Sequence, residues 1–374
     1  MRCGYHEAGR CGSCTLLHLP YPEQLAGKQA RCEQALGGLG PLRWLDPVGS
    51  AQQGFRNKAK LVVAGRRGRP TLGILDGAGR GVDLRRCALY EQPVAEALEP
   101  LADWVAEAGL TPYDVPARRG ELKHLLLTGA PDGGLMLRLV LRSTDQLVLV
   151  RRALPGLRAR LPQLRVLSAN IHPEHKAVLE GEQEIVLTRA RHLAFPLPEL
   201  TLQLSPRAFL QTNTGVAARL YGHAREWVGQ AAPERVWDLY CGVGGFALHV
   251  AAPGRVVTGI EITAEAIGAA RRAARALPAP TAAGVRFETG DATGWAGGAA
   301  DLVIVNPPRR GLGPELAAAL DASAVPRVLY SSCNVDTLAR DLAAMGALRP
   351  VRARVFDMFP NTAHQEVLVE LVRG

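Results

Sequence analysis

From about residue 205 onward the chain alternates short apolar runs with helical stretches, and this limits the folds open to it more than any other feature. "RVWDLY" reads as a strand, "CGVGG" as a turn and "FALHVAA" as a helix. Strand "RVVTGIEI", helix "AEAIGAARRAARAL", strands "GVRFETGD" and "DLVIVNPP", helix "PELAAALDA" and strand "RVLYSS" follow. Parallel strands need crossover connections, so the pattern predicts a doubly wound α/β domain with helices on both faces of a parallel sheet. Two last apolar segments, "LRPVRARVFDMF" and "HQEVLVELV", are expected to close that sheet as an antiparallel edge pair.

The first half reads differently. "AKLVVAG" (59–65), "GLMLRLVLRS" (134–143) and "RVLSANIHP" (165–173) look like strands, while 23–36 and 93–109 carry apolar residues at helical spacing. The expected division is a β-rich region over 1–204 and an α/β domain over 205–374. No apolar run approaches the 18 residues of a membrane span. The opening "MRCGYHEAGRCGSC" lacks the apolar core of a signal peptide, so a cytoplasmic protein is expected. The net charge is +9, carried mainly by arginine, the side chain suited to bidentate phosphate contact and to stacking on bases. A nucleic-acid partner follows.

The glycines of "DLYCGVGGF" (238–246) fall at a strand-to-helix turn, where backbone must pass close to a ligand. The next strand ends in "GIEI", setting Glu261 nineteen residues past Gly242, where a carboxylate can accept hydrogen bonds from ribose hydroxyls. That layout would serve NAD, but the turn lacks G-x-G-x-x-G spacing. Gly242, Gly244 and Gly245 follow Asp238 as in the first motif of class I methyltransferases, which points to S-adenosylmethionine (SAM). Asp291 ends the third strand, at the usual place for an adenine or ribose contact. In "VNPPRRG" (305–311), Pro307 and Pro308 stiffen the loop and Asn306 can present its amide to cofactor or base.

Cys333, in "RVLYSSCNVD", follows the fifth strand and opens onto the same carboxyl edge. A thiol at that place in a methyltransferase fits pyrimidine C5 chemistry. C5 is a poor nucleophile until a thiolate adds to C6 and makes an enolate; a general base must later remove the C5 proton. "FPNTAHQEVLVEL" offers Glu366 as that base, with His364 beside it reading as a structural hydrogen-bonding group. Seven cysteines, odd in number and unevenly spaced, argue for ligation or catalysis over a disulfide framework. Cys3, Cys11, Cys14 and the distant Cys87 have a spacing that suits zinc or an iron–sulfur cluster. Cys32 and Cys241 read as packing.

Taken together, "SSCN", "NPPRRG", "DLYCGVGGF", "SPRAFLQTN" and "FDMFPNTAHQEVL" resemble the RNA uracil-C5-methyltransferases. The N-terminal cysteine segment, "GFRNKAK" and the lack of a leading β-barrel are similar to the branch that methylates one uracil of bacterial 23S ribosomal RNA. The resemblance spans essentially the whole chain. It implies a class I SAM-dependent methyltransferase fold, with an N-terminal β-rich domain carrying a [4Fe–4S] cluster on Cys3, Cys11, Cys14 and Cys87. It implies Cys333 as nucleophile, Glu366 as base, and Gln211, Tyr240, Glu261 and Asn306 at SAM-contacting positions, joined by Gly242 and Asp291 from the pattern above. It further implies that a helical piece near 18–45 packs on the catalytic domain; a monomer is expected. The wider family often has Asp where Asn306 stands and Phe where Tyr240 stands. An exocyclic-amine methyltransferase would need an aromatic residue after "NPP", where Arg309 stands. An iron–sulfur RNA-binding protein with a dead catalytic domain would have no reason to keep both Cys333 and Glu366.

Overall fold

The structure, a computed structural model, describes residues 1–176, 180–295 and 297–374. It divides into two compact units, one of Met1–Cys14 with Gln52–Phe195 and one of Thr15–Ala51 with Pro196–Gly374. The junction therefore lies at Phe195/Pro196 and not at residue 204, and the chain crosses between the units at two further points.

The first unit is built on a seven-stranded sheet, in the order Gly81–Asp83, Arg69–Leu75, Lys58–Arg66, Leu122–Gly129, Leu135–Leu141, Leu164–Ile171, Gln183–Val186. The one parallel pair, Leu135–Leu141 with Leu164–Ile171, is joined by the crossover helix Leu147–Arg160. Leu61, Leu125, Leu127 and Leu139 form one core cluster with Leu98, Leu101 and Val105 of the helix Gln92–Glu107. That helix buries residues at 94, 97, 98, 101, 102 and 105, the stripe its sequence spacing predicts.

The second unit holds an eight-stranded sheet. Its order is Arg43–Val48, Leu348–Phe356, Glu366–Arg373, Arg327–Ser332, Leu302–Val305, Arg235–Leu239, Val256–Glu261, Val285–Thr289. The last five strands of that order run parallel to one another, as expected. The two C-terminal strands do pair antiparallel, but they do not form the edge. Glu366–Arg373 inserts beside Arg327–Ser332, and the edge is taken by Arg43–Val48 from the N-terminal segment, parallel to Leu348–Phe356. Burial explains the insertion: the first six residues of Glu366–Arg373 are all buried, the continuous pattern of an interior strand covered on both faces. No helix among the described residues is long and apolar enough to cross a membrane.

Strand order reverses between Arg235–Leu239 and Leu302–Val305, so their carboxyl ends open a crevice. The residues that follow those two strands are Tyr240 and Asn306.

Candidate active site

A cavity of about 590 Å³ lies at that crevice. Gly242, Tyr240, Glu261 and Asp291 line it on the side of the glycine turn. Gln211, Asn306, Cys333 and Glu366 line it as well. All eight catalytic and cofactor candidates read from the sequence thus meet in one place.

The glycine turn is held by its own geometry. Tyr240 takes a left-handed backbone conformation, φ 65°, uncommon for a bulky residue and sustained here by the turn around it. Gly242 and Gly244 also have positive φ. At Gly245 space is the constraint, because a Cβ there would lie 2.6 Å from Tyr221 Oη. The Ala247 N–H donates to Asp238 Oδ2 at 2.8 Å, tying the start of the helix Gly245–Val250 back to the strand. Burial pushes the Asp238 carboxyl up to about 7, an effect that the Ala247 bond opposes and the charge of Glu261 reinforces. Cys241 is buried and packs on Gly259, where an added Cβ would sit 2.9 Å from its Sγ.

Glu261 ends the neighbouring strand, and its Oε1 accepts the Thr263 N–H at 3.0 Å. Asp291 is exposed, and the Thr293 N–H donates to its Oδ1 at 2.9 Å, a bond that holds its carboxyl below the usual carboxylate range. Both carboxylates keep unused acceptor positions at the cavity.

On the other side, the strand Arg327–Ser332 brings Cys333 to the cavity. The antiparallel ladder ends with Ser332 opposite Val367, so Cys333 leaves the strand at the level of Glu366. Glu366 is 1 % exposed, and Ser331 Oγ donates to its Oε1 at 2.5 Å. Burial pushes the carboxyl up to about 7, while the Ser331 hydroxyl draws it back. The Cys333 thiol is raised by its partial burial and by Glu366, with the Arg309 guanidinium opposing both. The Arg309 carbonyl accepts from Asn334 Nδ2 at 3.1 Å, which fixes the NPP loop to the residue after the thiol. His364 is exposed, with Nδ1 3.4 Å from Arg309 Nη2 and its ring edge-on to Phe359.

Sequence reasoning gave no role to Ser331 or Tyr221, nor to the exposed Phe209 and Ile262 that also line the cavity. Ser331 had a visible signal, a hydroxyl two residues before a thiol, but its bond to Glu366 needs a strand pairing over 35 residues.

The first unit gathers Cys3, Cys11, Cys14 and Cys87 around a separate cavity of about 160 Å³. Burial pushes the Cys14 thiol up to about 11, with the other three thiols adding to the effect. Among the described residues no three or more His, Cys, Asp or Glu side chains meet closely enough to hold a single metal ion.

Strand order, crevice and glycine turn define a class I SAM-dependent methyltransferase fold. The chain superposes on the tRNA (uracil-54, C5)-methyltransferase of Pyrococcus abyssi, solved with S-adenosyl-L-homocysteine, with a TM-score of 0.80 and 25% identity over 96% of this chain and 85% of that one. A family profile described as tRNA (Uracil-5-)-methyltransferase matches residues 297–374, and one described as methyltransferase small domain matches 225–324. The chain is 51% identical to the 23S rRNA (uracil(747)-C(5))-methyltransferase RlmC of Halothiobacillus neapolitanus and 48% identical to that of Serratia proteamaculans, in both cases over 100% of each chain. The chain belongs to this RlmC family of 23S rRNA (uracil-C5)-methyltransferases.

Proposed function

We propose that the protein transfers a methyl group from SAM to C5 of one uracil in 23S ribosomal RNA, uracil 747 by the names of its relatives. The observation that carries this reading is the convergence of Cys333 and Glu366 on the cavity bordered by the glycine turn and Glu261. The turn suits SAM: Gly242 and Gly245 keep the backbone clear, Glu261 can accept from the ribose hydroxyls, and Asp291 and Asn306 offer further polar contacts. Bound there, SAM supplies an electrophilic methyl carbon.

The chain's own residues do the rest. The Cys333 thiolate adds to C6 of the uracil, and the C5=C6 electron pair becomes an enolate reactive at C5. Arg309 favours the thiolate form, while burial and Glu366 oppose it. Once C5 is methylated, the Glu366 carboxylate takes its proton and the thiolate leaves, restoring the double bond. A carboxyl raised to about 7 is a stronger base than an exposed glutamate while remaining ionisable near neutral pH.

In the first unit, Cys3, Cys11, Cys14 and Cys87 would hold a [4Fe–4S] cluster. Four thiols lining one cavity are the donor type that such a cluster takes. The proposed reaction involves no electron transfer, so the cluster would serve a structural or RNA-positioning part. A ribosomal RNA substrate accords with a cytoplasmic enzyme and with the net charge of +9.

The test is methylation of unmodified 23S RNA by purified protein with labelled SAM, read as 5-methyluridine after nuclease digestion. Cys333→Ala should abolish product. Product in which the label sits on an exocyclic amine or a ribose would overturn the assignment.

A further inference from the structure

The helix Tyr21–Leu36 presents polar side chains where a packed helix normally presents apolar ones. Gln24 and Lys28 are 2 % and 3 % exposed, and Tyr21 lies on the same stripe. All three engage the segment that leads into Glu366. Lys28 Nζ donates to Asp357 Oδ1 at 2.6 Å and to the Phe359 carbonyl at 3.0 Å. Tyr21 Oη donates to the other Asp357 oxygen at 2.8 Å. Gln24 Oε1 accepts the Asn361 N–H at 3.0 Å, and the Asn361 carbonyl accepts the Leu16 N–H at 3.0 Å. Asn361 itself is in the left-handed region, φ 65°, a conformation that persists when its surroundings fix it from both sides.

We infer that Lys28 is a positioning residue for the reaction: through Asp357 and Phe359 it fixes the segment 357–361, and thereby where Glu366 stands relative to Cys333. The inference rests on the reading of Glu366 as the base.

Stability alone is a poor reason for such a pair. The Lys28 and Asp357 side chains are 2 % and 0 % exposed, and taking two charges out of water offsets much of what their attraction returns. A buried pair does supply fixed geometry. The ammonium bridges a carboxylate and a backbone carbonyl two residues apart, which a hydrophobic pair of the same volume cannot do. Phe359 also lines the active cavity, so the bridge is one residue's width from the site. Base catalysis needs the carboxylate within hydrogen-bond reach of the C5 proton, and a displacement of an ångström is costly.

The test compares wild type, Lys28→Met and Lys28→Met/Asp357→Asn. The double variant removes both charges, so neither is left buried without a partner. Three quantities are read: turnover, the fraction of enzyme bound covalently to RNA at steady state, and S-adenosyl-L-homocysteine affinity with melting temperature as the control for folding. In both variants turnover should fall about tenfold or more. Covalent methylated RNA should accumulate, because elimination is the step that needs Glu366, while S-adenosyl-L-homocysteine affinity stays at the wild-type level. A double variant with wild-type turnover and no accumulated adduct would overturn the inference, as would turnover lost without adduct in a folded protein. Wild-type enzyme that forms no adduct on 5-fluorouracil-substituted RNA would instead overturn the nucleophile reading, and this inference with it.

Discussion

Ser331 donates its hydroxyl to the carboxylate of Glu366 across the central antiparallel pair, one strand carrying the hydroxyl and the thiol, the other the acid. A hydrogen bond to the ionised form favours that form, so Ser331 keeps a fully buried carboxyl from rising further than it does. Removing the hydroxyl in Ser331→Ala should raise the Glu366 pKa above its present value near 7. The base form is then less populated at any given pH, and the acid limb of the kcat profile should move to higher pH. An unmoved limb would separate Glu366 from the step that limits turnover.

Glu366→Gln acts on a single step. Addition by Cys333 and methylation at C5 precede proton removal, so both can proceed, and the product then stays attached. Turnover should stop near one methyl per enzyme, with RNA migrating with the protein on a denaturing gel. Free turnover without trapped RNA would take the base role away from Glu366.

The thiol reports on its neighbours directly. Glu366 raises the Cys333 pKa and Arg309 lowers it. Alkylation of Cys333 by iodoacetamide follows the thiolate, so its pH midpoint should fall in Glu366→Gln and rise in Arg309→Met. Identical midpoints in the three proteins would mean that neither charge reaches the sulfur.

The same carboxyl has a measurable effect on folding. Glu366 is raised from 4.5 to about 7, so between those values the folded state holds a proton that the unfolded state has released. Stability contributed by the neutral form is complete below pH 4.5 and is lost as pH rises toward 7. Glu366→Gln escapes that loss, and at pH 8 should be more stable than wild type by up to about 3 kcal/mol, with little gain at pH 4.5. Denaturant unfolding at the two values measures the difference.

Gly245 tests the cofactor turn. Its Cβ would meet Tyr221 Oη at 2.6 Å and Cζ at 2.8 Å, and Tyr221 is itself stacked on His249 and edge-on to Phe246. Gly245→Ala should move the turn or push the Tyr221 ring into the cavity it lines, and either way weaken S-adenosyl-L-homocysteine binding about tenfold or more, since about 1.4 kcal/mol of strain suffices. Calorimetric titration gives the number directly.

Iron content tests the cysteine cavity. Protein prepared anaerobically should be brown, with about four irons per chain, and Cys87→Ser should lose both colour and iron. Colourless protein holding one zinc would overturn the cluster assignment.

Much of the catalytic sheet was legible because its information is local. Most strands from Arg235 to Ser332 are short apolar runs ending in loops with recognisable chemistry, and "DLYCGVGGF" announces the turn that Gly245 and Tyr240 build. Other elements hid behind their own residues. The helix Leu147–Arg160 contains Pro155, which removes one hydrogen bond; it would have gone to the carbonyl of Arg151, an exposed residue that water can serve. The helix Thr214–Ala231 carries glycines at 215, 222 and 229, yet forms because Leu220, Ala224, Trp227 and Val228 bury one side and Asn213 caps its start. The edge strand Arg43–Val48 was beyond local reasoning, because nothing in its sequence names a partner that far along the chain. The buried Lys28 was masked too: a lysine in a helix reads as solvated until its acceptors, more than three hundred residues away, are in view.

The interleaving of the two units also sets a timetable for biosynthesis. Arg43–Val48 emerges early from the ribosome, but its partner Leu348–Phe356 is made about 300 residues later, a wait of about 15–60 s at ordinary rates of synthesis. Throughout that interval an incomplete sheet edge and a helix with a buried-type lysine must remain without their partners. The nascent chain is thus exposed to mispairing at the segment that later steadies Glu366. A fragment beginning at residue 205 would lack both the edge strand and the Lys28 helix for good, so the catalytic half cannot be expected to mature apart from the opening fifty residues.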